Sequence, residues 1–262
     1  MLQRDKVAYM VLNQGKDFQM NDSTVEALHT ALDEVEATSA CMLITLSSSP
    51  LIFSTGFQLP YLMEHETNAF RVNTAFQGLL KRMITFPMPT VCLIRGHCYA
   101  AGLMMAMSHD VRIMQASHGK LCFSEVQVGI TFPHAYNLLL GSTLPRQIYR
   151  EMSLGRPIGA QEAFHRGVIQ YLFKTDDEVN GLIEKLTGEL SKAGSDRALV
   201  SDQKAKIHAE TVIALDNLCF NPQDTLLIAK CGKNLQKIYT TRKPAPSQQG
   251  NAKRQGNPRA KL

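Results

Sequence analysis

The chain has 262 residues, of which 44% are hydrophobic and 19% charged. That is long enough to enclose one sizeable core and too apolar for a disordered chain. No run of about 18 uncharged apolar residues occurs, and the opening MLQRDKVAYMVLNQGKDF puts charges inside its apolar stretch, so neither a membrane span nor a secretory signal is expected.

Alternating apolar positions from Val7 to Asn13 predict a first strand. The segment NDSTVEALHTALDEVEA follows, with Asn21, Asp22 and Ser23 as candidate caps and Val25, Leu28, Leu32 and Val35 at helical spacing. Cys41 to Leu46 (CMLITL), bounded by Ser47, Ser48, Ser49 and Pro50, reads as a buried strand. An amphipathic stretch from Thr67 to Phe86 leads through Pro87 and Pro89 into the strand TVCLIRG. The helix-favouring AAGLMMAMSHD comes next, then VRIM and SHGKLCF, which return to strand-like patterning. Repeating strand and helix units imply an α/β fold. From Pro145 the pattern is helical, in QIYREMSLG, GAQEAFHRG and DDEVNGLIEKLTGELSKAG. From Thr241 proline, glycine, glutamine and cations predict a flexible tail.

The formal charge of +5 is compatible with an anionic partner. Several of the cations (Arg242, Lys243, Lys253, Arg254, Arg259, Lys261) belong to that tail, where no aromatic residues interleave them. Trp is absent from the chain, so recognition of nucleic acid by stacking is not expected. The cysteines at 41, 92, 98, 122, 219 and 231 never form C-x-x-C and read as reduced core thiols. His97, His109, His118 and His134 lack metal-type spacing, so no metal is expected. Asp110 beside His109 reads as the end of a buried helix holding a structural hydrogen bond, and Met105 and Met107 as packing.

Two turns place small residues at a strand-to-helix junction, where backbone N–H groups can converge on one anionic atom: IFSTGFQL (Ile52 to Leu59) and RGHCYAAGLMMAMSHD (Arg95 to Asp110). Either alone could be a tight turn and nothing more. Their pairing, followed by SEVQVGITFP, changes the reading.

The three segments resemble the crotonase superfamily, with its F-x-x-G-x-D-L, its G-x-x-x-x-G-G opening a buried helix, and its acidic residue shortly before a proline. Within it the likeness is to the enoyl-CoA delta isomerases, whose N-E-T-Q-L-G-I-x-x-P is matched by SEVQVGITFP. The resemblance implies a crotonase-type spiral of ββα units over residues 1–190, a helical trimerisation region over 191–240, and the tail over 241–262. It implies an acyl-CoA substrate, no further cofactor, and a homotrimer or dimer of trimers. The backbone N–H groups of Phe57 and Ala101 become the donors of an oxyanion hole. Ser54, Gly56, Gln58, Leu59, Ala100, Gly102 and Met104 join them in the acyl-CoA site.

The sequence departs from the pattern at Gln58, where many members have aspartate, and at Ala100 and Ala101, which replace two glycines but keep the N–H. Met104 stands where hydratases carry a helix glutamate, and Glu125 matches the isomerase glutamate, so one base shifting a double bond from the 3 to the 2 position fits better than hydration. On composition alone Glu125 would be a surface residue. Its apolar neighbours Leu121, Phe123, Val126, Val128, Ile130 and Phe132 argue for enclosure, which would raise its pKa. Dienoyl isomerisation, weak hydration and a non-catalytic acyl-CoA-binding scaffold are the alternatives. Ala260, Lys261 and Leu262 vary the S-K-L address, so a peroxisomal import receptor and a peroxisomal location are expected.

Overall fold

The computed structural model describes residues 2–4 and 6–217. In chain order the elements are β1 (Leu2–Arg4), β2 (Val7–Leu12), β3 (Gln19–Met20), α1 (Asp22–Glu36), β4 (Met42–Ser47), β5 (Ile52–Ser54) and β6 (Gly56–Phe57). They continue with α2 (Leu59–Glu64), α3 (Glu66–Ile84), β7 (Thr90–Ile94), β8 (His97–Tyr99), α4 (Ala100–Met107), β9 (Val111–Gln115) and β10 (Lys120–Cys122). After a 3-10 turn at Glu125–Val128 come α5 (His134–Thr143), α6 (Arg146–Ser153), β11 (Ile158–Gly159), α7 (Ala160–His165), β12 (Tyr171–Phe173), α8 (Asp176–Gly194), α9 (Arg197–Ile207) and α10 (Ala209–Asp216).

The main sheet runs β1-β2-β4-β7-β9-β12. Its neighbours are parallel except for β1 against β2. Parallel strands need crossovers, and α1, α3 and α4 supply them between β2, β4, β7 and β9. Both faces of such a sheet are covered, which is why MLITL and TVCLI are continuous apolar runs. Ala8, Met10, Leu12, Leu43, Cys92, Ile94 and Met114 point into the principal core with α1, α3 and α4. Val7, Met42, Ile44, Val91, Leu93, Ile113 and Phe173 point the other way, against Val179 and Leu186 of α8.

Helix α1 forms as its residues dictate, with the Asn21 side chain accepting from Thr24 N at 3.0 Å and Val25, Leu28, Leu32 and Val35 buried. Helix α4 is different, being buried from Ala101 to Met107 with no polar face, as befits an element at the centre. The C-terminal third is mostly helical among the described residues, as expected, and β12 within it adds a strand to the main sheet. The boundary expected at residue 190 falls inside α8, because that helix closes the outer face of the sheet. Residues 218–262, with Cys219, Cys231, the end of the expected helical region, the tail and Ala260, Lys261 and Leu262, lie outside the described residues. No described helix is long and apolar enough to cross a membrane.

Two smaller sheets, β11-β10-β8-β5 and β3-β6, stand beside the main one and carry the motif turns. Behind them Asp110 holds the base of the sheet. Its Oδ2 accepts from Thr90 N at 2.7 Å, from Thr90 Oγ1 at 2.9 Å and from the Lys204 ammonium, which also reaches Met88 O at 2.8 Å. His109 turns away, bonded to Met105 O and Thr45 Oγ1, and burial pushes its imidazole down to about 4, so it is neutral. Asp110 and His109 are structural and not a catalytic pair.

Lys204 is 8% exposed, whereas the Asp110 side chain keeps 35% of its surface in water. Removing the partner of a buried charge strands that charge, and solvent at the other end of the pair softens the cost. Asp110→Ala is expected to destabilise the protein by about 1–2 kcal/mol, whereas Asp110→Ala with Lys204→Met should recover most of the loss, as measured by urea unfolding. A double variant as unstable as the single one would contradict the stranded-charge explanation.

Candidate active site

The first motif turn is tied down by its own serine. Ser54 is buried at the end of β5, and its Oγ donates to Phe18 O at 2.7 Å while accepting from Gly56 N at 3.1 Å. The parallel pairing of β3 with β6 then sets Gln19 beside Gly56 and Met20 beside Phe57. Gln58 N donates to Met20 O at 2.8 Å, and the Gln58 Oε1 accepts from Asn21 Nδ2 at 2.8 Å. Glutamine in place of the family's aspartate is therefore anchored to the α1 cap. Leu59, half-buried, begins α2.

The second turn meets the first without an intervening side chain. Gly56 has φ +90°, and a Cβ placed on it would lie 2.9 Å from Ala100 Cβ and 3.0 Å from Ala101 N. One residue on, a Cβ on Gly102 would fall 2.5 Å from both Cβ and Oγ of Ser54. Two segments about forty residues apart in sequence thus form one structure. Ala101 lies in the first turn of α4, where N–H groups have no carbonyl a turn behind them and carry the positive end of the helix dipole; Tyr99 offers no side-chain cap.

The alanine substitution is less innocent than retention of its N–H suggests. Ala100 has φ +51°, a left-handed conformation that costs a residue with a Cβ about 1–2 kcal/mol. Met104, four residues further along α4, is buried in the principal core.

Glu125 opens the 3-10 turn after β10. As a residue it is half-buried, but its Oε2 is sealed from solvent and has no hydrogen-bond partner. Burial pushes the carboxyl up to about 7, opposed only by its own backbone N–H. Enclosure comes from fewer neighbours than the sequence suggests. Leu121 and Phe123 are buried and Phe123 meets Phe132 edge-on at 5.5 Å, but Val126 is 43% exposed. A 3-10 turn rotates successive side chains by about 120°, so an apolar run through it cannot point one way.

Aromatic contacts lead from the first turn towards Glu125. The Phe57 ring meets Phe76 of α3 edge-on at 5.1 Å, Phe76 meets Tyr136 of α5 at 6.0 Å, and the Tyr136 phenol feels the Glu125 charge. Sequence reasoning missed Phe76 and Tyr136. The signal available was the run Asn73, Thr74, Gln77, which places polar residues on the buried side of an otherwise amphipathic helix. Among the described residues no group of three His, Cys, Asp or Glu side chains is arranged to hold a metal.

Residues 3–217 match the family model described as enoyl-CoA hydratase/isomerase. Over 192 residues the chain is 27% identical to enoyl-CoA delta isomerase 3 of Arabidopsis thaliana, covering 69% of this chain and 78% of that protein. Over 215 residues it is 22% identical to enoyl-CoA delta isomerase 1, peroxisomal, of the same plant, covering 80% and 89%. Its fold is similar to the crystal structure of an enoyl-CoA hydratase/isomerase family protein from Pseudomonas syringae, with a TM-score of 0.76 at 23% identity over 88% of this chain and 95% of that one. The family match takes in both turns and Glu125, and its fold is the one the pairing of those turns requires: this chain belongs to the enoyl-CoA hydratase/isomerase family, with the crotonase fold.

Proposed function

We propose that the protein is a Δ3,Δ2-enoyl-CoA isomerase, converting a 3-enoyl-CoA into the 2-trans isomer. The observation that carries this reading is the Glu125 carboxyl, pushed up to about 7 by burial with its Oε2 sealed and unpartnered; the family resemblance adds that Met104 stands in the place of a hydratase's second glutamate. The thioester oxygen would sit between the N–H groups of Phe57 and Ala101. Glu125 takes a proton from C2, and the C–H electrons flow through C1 onto that oxygen, giving a dienolate. The fixed N–H dipoles stabilise the charge without reorganising. Glu125 then returns a proton to C4 as the 2,3 double bond forms and the carbonyl is restored. A carboxyl near 7 suits both halves, being basic enough to accept and acidic enough to donate. Ser54, Gly56, Gln58, Leu59, Ala100, Gly102 and Met104 shape the turns and the acyl chamber around these groups. Leu199, Ile207 and Ile213, exposed on α9 and α10, support assembly as a homotrimer or a dimer of trimers.

Glu125→Gln keeps the side-chain shape and removes the base, so isomerisation of a 3-enoyl-CoA is expected to fall about ten-thousand-fold. Hydration of a 2-enoyl-CoA by the unaltered enzyme should be slight. A variant retaining near-normal turnover, or hydration outrunning isomerisation, would overturn the single-base reading.

The same pKa fixes two pH dependences. The base must be ionised in the free enzyme, so kcat/KM should rise with pH and level off above about 7. Because folding raises this carboxyl from 4.5, the folded state holds its proton more tightly, and stability is present below 4.5 and lost as pH rises through about 7. Glu125→Gln should therefore melt higher than the unaltered protein at pH 8, with the gap closing towards pH 4.5.

Ala100→Gly relieves the left-handed alanine while freeing the unfolded chain somewhat, for an expected net gain of about 0.5–1 kcal/mol. Activity should survive, since the Ala101 N–H is untouched. Chemical denaturation and the isomerase assay together check both.

The peroxisome is the proposed location, from the Ala260, Lys261 and Leu262 sequence and the similarity to the peroxisomal enoyl-CoA delta isomerase 1 of Arabidopsis thaliana. A fluorescent protein extended by residues 243–262 should enter peroxisomes, and deletion of Ala260, Lys261 and Leu262 should leave it cytosolic.

A further inference from the structure

Asn21 is bonded at both ends of its amide. Its Oδ1 caps α1, accepting from Thr24 N at 3.0 Å and from Ser23 Oγ at 2.8 Å, so its Nδ2 is turned away from that helix. There it donates to Gln58 Oε1 at 2.8 Å. Gln58 directly follows Phe57, and its own N–H donates to Met20 O at 2.8 Å. Two successive residues, Met20 and Asn21, thus hold Gln58 by main chain and side chain together.

The amide of Phe57 depends on this grip. Successive N–H groups along an extended strand point to opposite edges, so with Gln58 N committed to β3 the Phe57 N–H faces away from it. On one flank lies Gly56, which at φ +90° has no Cβ to confine its dihedrals and is restrained by its N–H bond to Ser54 Oγ. On the other flank no fully buried side chain anchors the chain within α2. α2 hangs instead from the start of α1, where the Tyr61 phenol donates to Asp22 Oδ2 at 2.8 Å, beside Asn21. α1 is itself fixed in the core by Val25, Leu28, Leu32 and Val35. The direction of the Phe57 N–H is therefore set from α1 through polar bonds, and a donor aimed wrongly by about 1 Å can cost on the order of a hundredfold in rate.

We propose that Asn21 is a positioning residue for the reaction: its amide, acting through Gln58, aims the Phe57 N–H at the thioester oxygen. This rests on the acyl-CoA reading above and adds the α1 cap to its machinery.

The test uses two variants of the full-length protein. Asn21→Ser keeps a good helix cap, serine and asparagine being about equal there, but is too short to reach Gln58. Gln58→Met breaks the same link from the other end and leaves the cap alone, so it keeps the test informative should Asn21→Ser fold poorly. Either is expected to lose about 10- to 100-fold in kcat on a 3-enoyl-CoA with KM nearly unchanged. The double variant should be no slower than the slower single one, because both remove one link. The second readout is the infrared carbonyl stretch of bound decanoyl-CoA, isotope-labelled at its carbonyl carbon, which has no double bond to move. The unaltered protein should lower that frequency by hydrogen bonding, and each variant should return it part of the way to the free value. If both variants keep kcat and the carbonyl shift, the proposal is overturned, whatever they do to stability in urea. If the unaltered protein binds decanoyl-CoA without a carbonyl shift, the oxyanion-hole reading falls and the proposal with it. A shift present in the unaltered protein and reduced in both variants, without isomerisation of any 3-enoyl-CoA, would uphold the positioning role and sink the isomerase reading.

Discussion

The site depends on the absence of a side chain at Gly56. A Cβ there would press on Ala100 Cβ and Ala101 N, and the two strand-to-helix turns could not close to their present spacing. Several otherwise unrelated features serve this approach. Ser54 bonds the backbone on both sides of its turn, β3 pairs with β6 to hold Phe57 in register, and Gly102 lets α4 lie against Ser54. Two sets of main-chain dipoles are thereby fixed before any substrate arrives, which is the condition under which dipoles are effective at stabilising a developing charge.

Charge and burial are balanced against each other around that arrangement. Helix α4 runs straight into the principal core with no polar face, and its first turn carries a partial positive charge into a region of low polarity. Glu125 supplies the opposite demand, since a sealed carboxyl oxygen without a partner resists ionisation. On the proposed reading, an anionic substrate oxygen at the helix end and a proton on Glu125 favour each other's presence.

Much of the frame was legible in the residues. α1, β4 and β7 have apolar patterns strong enough to read locally, and Asn21 caps as its position suggested. β11 and β12, two and three residues long, were not, because such short strands exist only through their partners. Phe57, Ala101 and Glu125 were named through the family resemblance, and the close approach of the two turns is a feature that only the folded chain displays. Tyr136 and Asn73, 63 residues apart, meet only in the folded chain. The left-handed twist at Ala100 was equally invisible, since an N–H can be counted in a sequence but a dihedral angle cannot.

The close contact of the two turns also bears on how such a site can change over generations. Its charge-stabilising groups belong to the main chain and are present whatever residues occupy the positions. Selection at Gly56, Ala100 and Ala101 therefore acts on volume and backbone angle, and scarcely on functional group. Drift there is bounded as it is in a tightly packed interior, by what fits, while Glu125 alone of the proposed reacting groups answers to chemical identity. A lineage could pass from glycine to alanine beside the reacting oxygen and back again, meeting a small energetic step each way and no loss of the donor itself.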